Sequence, residues 1–187
     1  PIQREAIPPV MEGRDVMGLA QTGTGKTAAF ALPILHRLMA GPRGKVRALI
    51  LAPTRELTEQ THTAIGRMGR STRIRSAAIY GGVGMQPQLD TLRRGVDIVA
   101  ACPGRLLDHI RRKTIDLSRV EVLVLDEADQ MFDMGFLPDI RKIVKHLPRT
   151  RQNLLFSATM PPDIQSLADE ILRAPVRVQI GQTAPAA

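Results

Sequence analysis

Short runs of Val, Ile and Leu alternate along this chain with longer stretches whose apolar residues recur every three or four positions. The runs at 16–20, 46–52, 75–80, 97–101, 120–126, 153–157 and 176–180 predict seven strands. Several are apolar almost throughout, as strands covered on both faces are. Helical periodicity predicts helices over 27–39, 56–68, 86–94, 105–111, 137–146 and 163–172, after an opening helical turn from 2 to about 11. This alternation predicts an α/β fold, a parallel β-sheet of about seven strands with right-handed crossovers and helices on both faces. Ligands of such sheets sit at the carboxyl ends of the strands, so the residues just after each run should carry the chemistry.

Composition narrows the class. A chain of 187 residues suits one domain, predicted over 1–180, with 181–187 reading as a linker or tail of small residues. No apolar run approaches a membrane span, no signal-peptide pattern opens the chain, and the lone Cys102 cannot form an internal disulfide. A monomeric, cytoplasmic domain without membrane association is the expectation. The net charge of +8 points to a polyanion partner or to a solvated basic surface. One Tyr, four Phe and no Trp leave little for stacking bases. Nucleic acid would therefore be held through phosphates and sugars, with little sequence preference.

The segment Ala20-Gln21-Thr22-Gly23-Thr24-Gly25-Lys26-Thr27 follows the first predicted strand and opens a helix. That is the context of a phosphate-binding (Walker A) loop. Gly23 and Gly25 let backbone N–H groups turn inward around phosphates, and the helix N-terminus adds partial positive charge. Lys26 can reach the β- and γ-phosphates, and the Thr27 hydroxyl can ligate Mg²⁺. A second motif, Asp126-Glu127-Ala128-Asp129, ends the fifth strand pattern. With the loop present, it reads as the Walker B site. Asp126 would hold the magnesium through its water shell, and Glu127 would orient or deprotonate the water attacking the γ-phosphate. Taken alone, such an acidic cluster is a helix cap; with the loop it implies ATP and Mg²⁺. Asp129 lies too far along to share that ion and is expected to join a neighbouring motif.

Asp-Glu-Ala-Asp, with Pro1-Ile2-Gln3, Pro53-Thr54-Arg55-Glu56-Leu57, Gly81-Gly82, Pro103-Gly104-Arg105, the 131–136 stretch MFDMGF and Ser157-Ala158-Thr159, resembles the DEAD-box ATP-dependent RNA helicases. The motifs stand in the family's order and spacing over residues 1 to about 180, and the chain looks most like the first RecA-like domain of a bacterial member. Ala20 where phosphate loops usually begin with Gly is a departure that the RecA-like helicases share. The resemblance implies that Gln3 reads adenine through a donor–acceptor amide pair. It implies that Pro53, Thr54, Arg55, Gly81, Gly82, Pro103, Gly104 and Arg105 contact the RNA backbone. It also implies that Asp129, Ser157 and Thr159 couple ATP state to strand separation. The family's second RecA-like domain, which supplies arginine fingers, has no counterpart in this sequence. This polypeptide alone is therefore expected to bind nucleotide weakly, to hydrolyse ATP barely and to unwind nothing.

Two positions depart from the family. Cys102 stands where relatives usually carry Thr, which should weaken one phosphate hydrogen bond, and Thr58 stands where Ala is common. The four histidines show no ligand spacing and read as surface or packing residues, and Met131, Phe132, Met134 and Phe136 as core filler. Two other classes remain open on residues alone. One is a stand-alone RNA-binding or interaction module without motor activity; the intact nucleotide site argues against lost catalysis. The other is a different phosphate-loop ATPase, such as a DNA translocase or a nucleotide kinase, whose lid and second phosphate site are not found.

Overall fold

The computed structural model describes residues 2–180. Seven strands form a single parallel sheet: β1 (Val16–Leu19), β2 (Ala48–Leu51), β3 (Ser76–Ile79), β4 (Ile98–Ala101), β5 (Val122–Leu125), β6 (Gln152–Ser157) and β7 (Val176–Gln179). Their order across the sheet is β3-β4-β2-β5-β6-β1-β7. The helices are α1 (Ile2–Met11), α2 (Lys26–Leu38), α3 (Arg55–Met68), α4 (Met85–Arg93), α5 (Pro103–Arg111), α6 (Ala128–Asp133), α7 (Leu137–Val144) and α8 (Pro162–Ile171). The predicted α/β architecture with its all-parallel sheet is what forms, and β2, β4, β5 and β6 are buried on both faces.

The alternation of side chains along a strand divides the core in two. Val122 and Val124 of β5 pack with α1, α2 and α3 through Ile2, Phe30, Ile34 and Ile65. Leu123 and Leu125 face the other way, onto Leu106, Ile140 and Leu167 of α5, α7 and α8. All four β5 residues are at most 1 % exposed, so a polar substitution on either face would meet a closed core.

Most strands are shorter than their sequence runs. The 46–52 run, for instance, keeps only Ala48–Leu51, while the Arg47 N–H already bonds irregularly to the Asp97 carbonyl at 2.9 Å. The predicted 137–146 helix stops at Val144, where His146 bonds back to Ile143 and tightens the last turn. Helix α6 was not expected: at six residues it is too short to show periodicity. Of the four MFDMGF residues predicted as core filler, Met131 is buried and the two phenylalanines are half-buried. Met134 instead lies in the open at 51 % exposure, because α6 ends before it. Among the described residues, no helix is long and apolar enough to cross a membrane. The segment 181–187, read as a linker or tail, lies outside the described residues.

Candidate active site and nucleic-acid interface

The loop after β1 turns on two glycines with left-handed backbone, Gly23 (φ 84°) and Gly25 (φ 85°), and Lys26 opens α2 directly after the second. A side chain at either position would be strained. Gly25 has a further reason: an added Cβ would lie 2.6 Å from Nε2 of Gln3. Without that Cβ the Gln3 amide reaches the loop and donates to the Gly25 carbonyl at 3.3 Å. Packing of α1 on α2 thus sets Gln3 on the loop. The Ala20 N–H donates to the Ser157 carbonyl at 3.0 Å and pins the loop's first residue to β6. Thr24 closes the turn onto the Gln21 carbonyl at 2.7 Å, and Thr27 is half-buried in the first turn of α2.

The acidic turn comes off the next strand but one, β5. Asp126 continues β5 by donating its N–H to Leu51 at 2.9 Å. Glu127 then adopts φ 54°, ψ 51°, a conformation that costs a residue with a side chain about 1–3 kcal/mol. Its carboxylate is held over the loop. Oε1 accepts from Lys26 Nζ at 2.7 Å and from the Thr22 hydroxyl at 3.0 Å, and Oε2 accepts from the Gln130 amide at 3.4 Å. Lys26 Nζ also lies 3.8 Å from Asp126 Oδ1. Lys26, Asp126 and Glu127 are 5 %, 6 % and 2 % exposed, so three charges share one dry site. Burial pushes the Asp126 carboxyl up to about 6, against the pull of Lys26. In the free chain the lysine and the Glu127 carboxylate neutralise each other.

Asp129 faces away from this cluster. Its N–H donates to Ser157 Oγ at 3.1 Å, and its Oδ2 accepts from the Thr159 N–H at 3.1 Å and the Thr159 hydroxyl at 3.0 Å. Burial raises its carboxyl, but the hydrogen bonds from Thr159 and Ser157 outweigh burial and leave it below the usual range. The end of β6 is thereby tied to α6, two residues from Glu127.

The remaining motif residues leave the sheet from three adjacent strands, β2, β3 and β4. Thr54 caps α3, its hydroxyl accepting from the Leu57 N–H at 3.2 Å. The Arg55 guanidinium sits 5.0 Å over the Tyr80 ring, and the Tyr80 hydroxyl donates to Glu59, which raises the phenol's pKa. Gly81, Gly82 and Gly104 face open space, since an added Cβ at any of them would meet nothing within 4 Å. Pro103 is buried, and Arg105 in the first turn of α5 donates to the Val83 carbonyl at 3.1 Å. Sequence reasoning passed over the network beneath. Gln88 donates to the Tyr80 carbonyl at 2.8 Å and accepts from His109 Nε2 at 3.0 Å, while His109 Nδ1 meets Thr114 at 2.8 Å. His109 is fully buried, and burial, then Arg105, lowers its pKa, so the ring stays neutral. Its place on the Leu106–Ile110 stripe of α5 was the available signal.

Residues 1–167 match the family described as DEAD/DEAH box helicase. The chain belongs to that family. It is 48% identical over 180 residues to the DEAD-box ATP-dependent RNA helicase CshA of Streptococcus pneumoniae, covering 96% of this chain and 34% of that protein. It is also 48% identical to RhpA of Helicobacter pylori, covering 96% of this chain and 36% of that helicase. The crystal structure of a hypothetical ATP-dependent RNA helicase from Sulfolobus tokodaii superposes with a TM-score of 0.88 at 38% identity, over 96% of this chain and 52% of that one. The sheet is therefore the RecA-like sheet expected of the family. This DEAD/DEAH box helicase chain spans about a third of the length of the curated relatives it matches.

The two residues that depart from the helicase family's pattern touch. Thr58 Oγ1 lies 3.3 Å from Cys102 Sγ and also donates to the Thr54 carbonyl at 2.9 Å. Burial pushes the Cys102 thiol up, so it stays protonated. The resemblance implies a Thr hydroxyl after β4 and an Ala in α3; here a hydroxyl stands in α3 instead, against the thiol. The pair should therefore be coupled. Cys102→Thr alone is expected to crowd Thr58, and Thr58→Ala alone to leave a gap, while the double variant recovers stability. Urea unfolding of the four proteins should give a coupling energy of about 1 kcal/mol, and additive effects would contradict that coupling.

Proposed function

We propose that this chain is the nucleotide-binding half of an ATP-dependent RNA helicase, whose parent protein separates short RNA duplexes by bending one strand. One arrangement carries the reading. Strands β5, β6 and β1 lie side by side and bring the acidic turn, Ser157–Thr159 and the phosphate loop together, while β3, β4 and β2 present the backbone-reading turns along the same edge. A single sheet edge thus joins a triphosphate site to a polyanion track, with Asp129, Ser157 and Thr159 positioned to pass a change at one to the other.

The residues present fit ATP with magnesium. The inward-turned loop of Gly23 and Gly25 leaves its N–H groups free of Cβ obstruction for phosphates. The Asp126 carboxylate and the Thr27 hydroxyl are hard oxygen donors of the kind that bind Mg²⁺ together with phosphate oxygens and water. When bound, that ion would neutralise charge on the phosphates. Lys26 exchanges its Glu127 partner for the β- and γ-phosphates. Glu127, released from the lysine, orients a water and accepts its proton as the water oxygen attacks the γ-phosphorus and the bond to the ADP oxygen breaks. Until nucleotide arrives, the base is tied up by the very lysine that the phosphates recruit.

In the parent, a second RecA-like domain would supply arginine fingers, which contribute on the order of 10³–10⁵ in rate to comparable hydrolyses. Residues 1–187 alone are accordingly expected to bind ADP weakly and to show almost no turnover, with or without RNA. Calorimetric titration with Mg·ADP and a phosphate-release assay test both points. Absence of any ADP binding, or substantial RNA-stimulated turnover by this chain, would overturn the reading.

A further inference from the structure

Much of the positive charge of this chain lies away from the motifs. On the carboxyl edge of the sheet, Lys26 is closed onto two carboxylates, Arg55 lies over Tyr80 and Arg105 is turned to Val83. The opposite, amino edge is built from the segments that enter the strands. Residues 43–47 (RGKVR) lead into β2 and 70–75 (RSTRIR) lead into β3; each holds three cations and no carboxylate. Residues 111–119 (RRKTIDLSR), leading into β5, hold four cations and Asp116.

Asp97 and Glu121 of this edge are engaged within the chain, while Asp116 stays exposed. Asp97, 1 % exposed, accepts from the Gly44 N–H and the Arg75 N–H, each at 2.8 Å, and so stitches the entries of β2 and β3 together. That stitch holds the backbones of Gly44, next to Lys45, and Arg75 on one carboxylate. Asp116 accepts from the Ser118 N–H at 2.9 Å, with Lys45 and Arg119 close enough to depress its pKa further. The side chains of Lys45, Arg75, Lys113 and Arg119 are exposed, and none forms an ion pair among the described residues. Two clefts run between these entries. One of about 320 Å³ is lined by Lys45, Arg93 and Lys113, and a second of about 310 Å³ shares Lys113, Ile115 and Asp116 with it and extends to His146. The two adjoin at Lys113, Ile115 and Asp116 and make a trough, with the exposed Arg75 and Arg119 on the segments that enter β3 and β5 beside it.

We infer that this trough is a second RNA-binding surface, which grips the phosphate backbone of a flanking duplex on the edge opposite the motifs. Lys45, Arg75, Lys113 and Arg119 outnumber the one exposed carboxylate among them, Asp116, so the trough matches a phosphate backbone in charge, and the chain's poverty in aromatic residues argues against base stacking as the alternative mode. The two edges are one strand length apart, roughly 13 Å for four residues. An RNA held at the motifs can therefore continue around the sheet onto the trough, which would keep the substrate attached while the carboxyl edge changes state. The inference rests on the reading that the parent acts on RNA.

The test compares three proteins, each of residues 1–187: wild type, Arg105→Ala, and a quadruple variant Lys45→Gln, Arg75→Gln, Lys113→Gln, Arg119→Gln. Binding of a short blunt RNA duplex is measured by fluorescence anisotropy across a salt series, and Mg·ADP binding and thermal melting confirm an intact fold. The quadruple variant should bind duplex at least tenfold more weakly. Its slope of log K against log salt should fall by about 2–4, with ADP affinity unchanged. Wild-type affinity and slope in that variant would overturn the inference while leaving the proposed function standing if Arg105→Ala still weakens binding. Should neither variant affect RNA, both fail. Displacement of the RNA by poly-glutamate at equal charge concentration would also overturn it, by showing a surface for acidic protein.

Discussion

Lys26→Ala is expected to eliminate Mg·ADP binding and, at the same time, to lower the chain's stability by about 3–5 kcal/mol at pH 7.5. The first effect follows from the loop: Lys26 is its only side-chain cation, and it stands at the start of α2 where phosphates would bind. The second follows from tertiary structure. Lys26 faces Glu127 at 2.7 Å and Asp126 at 3.8 Å in a site almost closed to water, so its removal leaves two carboxylates without a counter-charge. The deficit should depend on pH with a definite sign. The Asp126 carboxyl is already raised to about 6 by burial, so its contribution to stability is present below its unfolded value near 4 and is lost as pH rises through 6. Removing the lysine's pull raises it further. The gap between wild type and variant in urea unfolding should accordingly widen from pH 4.5 to pH 8. A variant of unchanged stability across that range would mean that the three groups do not share a dry site in solution.

Glu127→Gln in the full-length parent is expected to lower ATP turnover by about 10²–10⁴-fold, the usual loss for a general base. Nucleotide affinity should be equal to or tighter than wild type. The carboxamide keeps the shape that accepts from Thr22 but no longer holds Lys26 as an ion pair, so phosphates recruit the lysine at lower cost. Steady-state kinetics with a fluorescent ADP titration separates the two quantities. Loss of affinity in parallel with turnover would assign Glu127 to nucleotide binding and leave the base unidentified.

The two sites differ in how far the sequence reveals them. Gly23, Gly25 and Lys26 are chemical requirements of one short loop, and the strand before it and the helix after it can be read from hydrophobic period alone. Asp126 and Glu127 follow a buried-strand pattern in the same way. Nothing local discloses that Lys26 and Glu127, 101 residues apart, neutralise each other before nucleotide arrives. Nor does it show that Glu127 bends into a left-handed turn to do so. Thr58 and Cys102 read as two unrelated departures from a family pattern; only the contact between α3 and the end of β4 brings them together. Gln88 and His109 carried no motif at all, because their role is to satisfy each other in a buried position.

The sequence by itself determined the α/β alternation, the parallel sheet, and the identity of the residues that follow each strand, because these depend on periodicity and on chemistry between near neighbours. Tertiary structure alone decided the strand order β3-β4-β2-β5-β6-β1-β7. It thereby decided which motifs stand side by side and on which edge the uncompensated arginines and lysines gather. A net charge of +8 is a sum over the chain, and a sum has no location. Its placement follows from a parallel sheet that sends every strand's entry to one edge and every exit to the other, with Asp15 and Asp97 buried at the entries as backbone partners and Lys45, Arg75, Lys113 and Arg119 left in water.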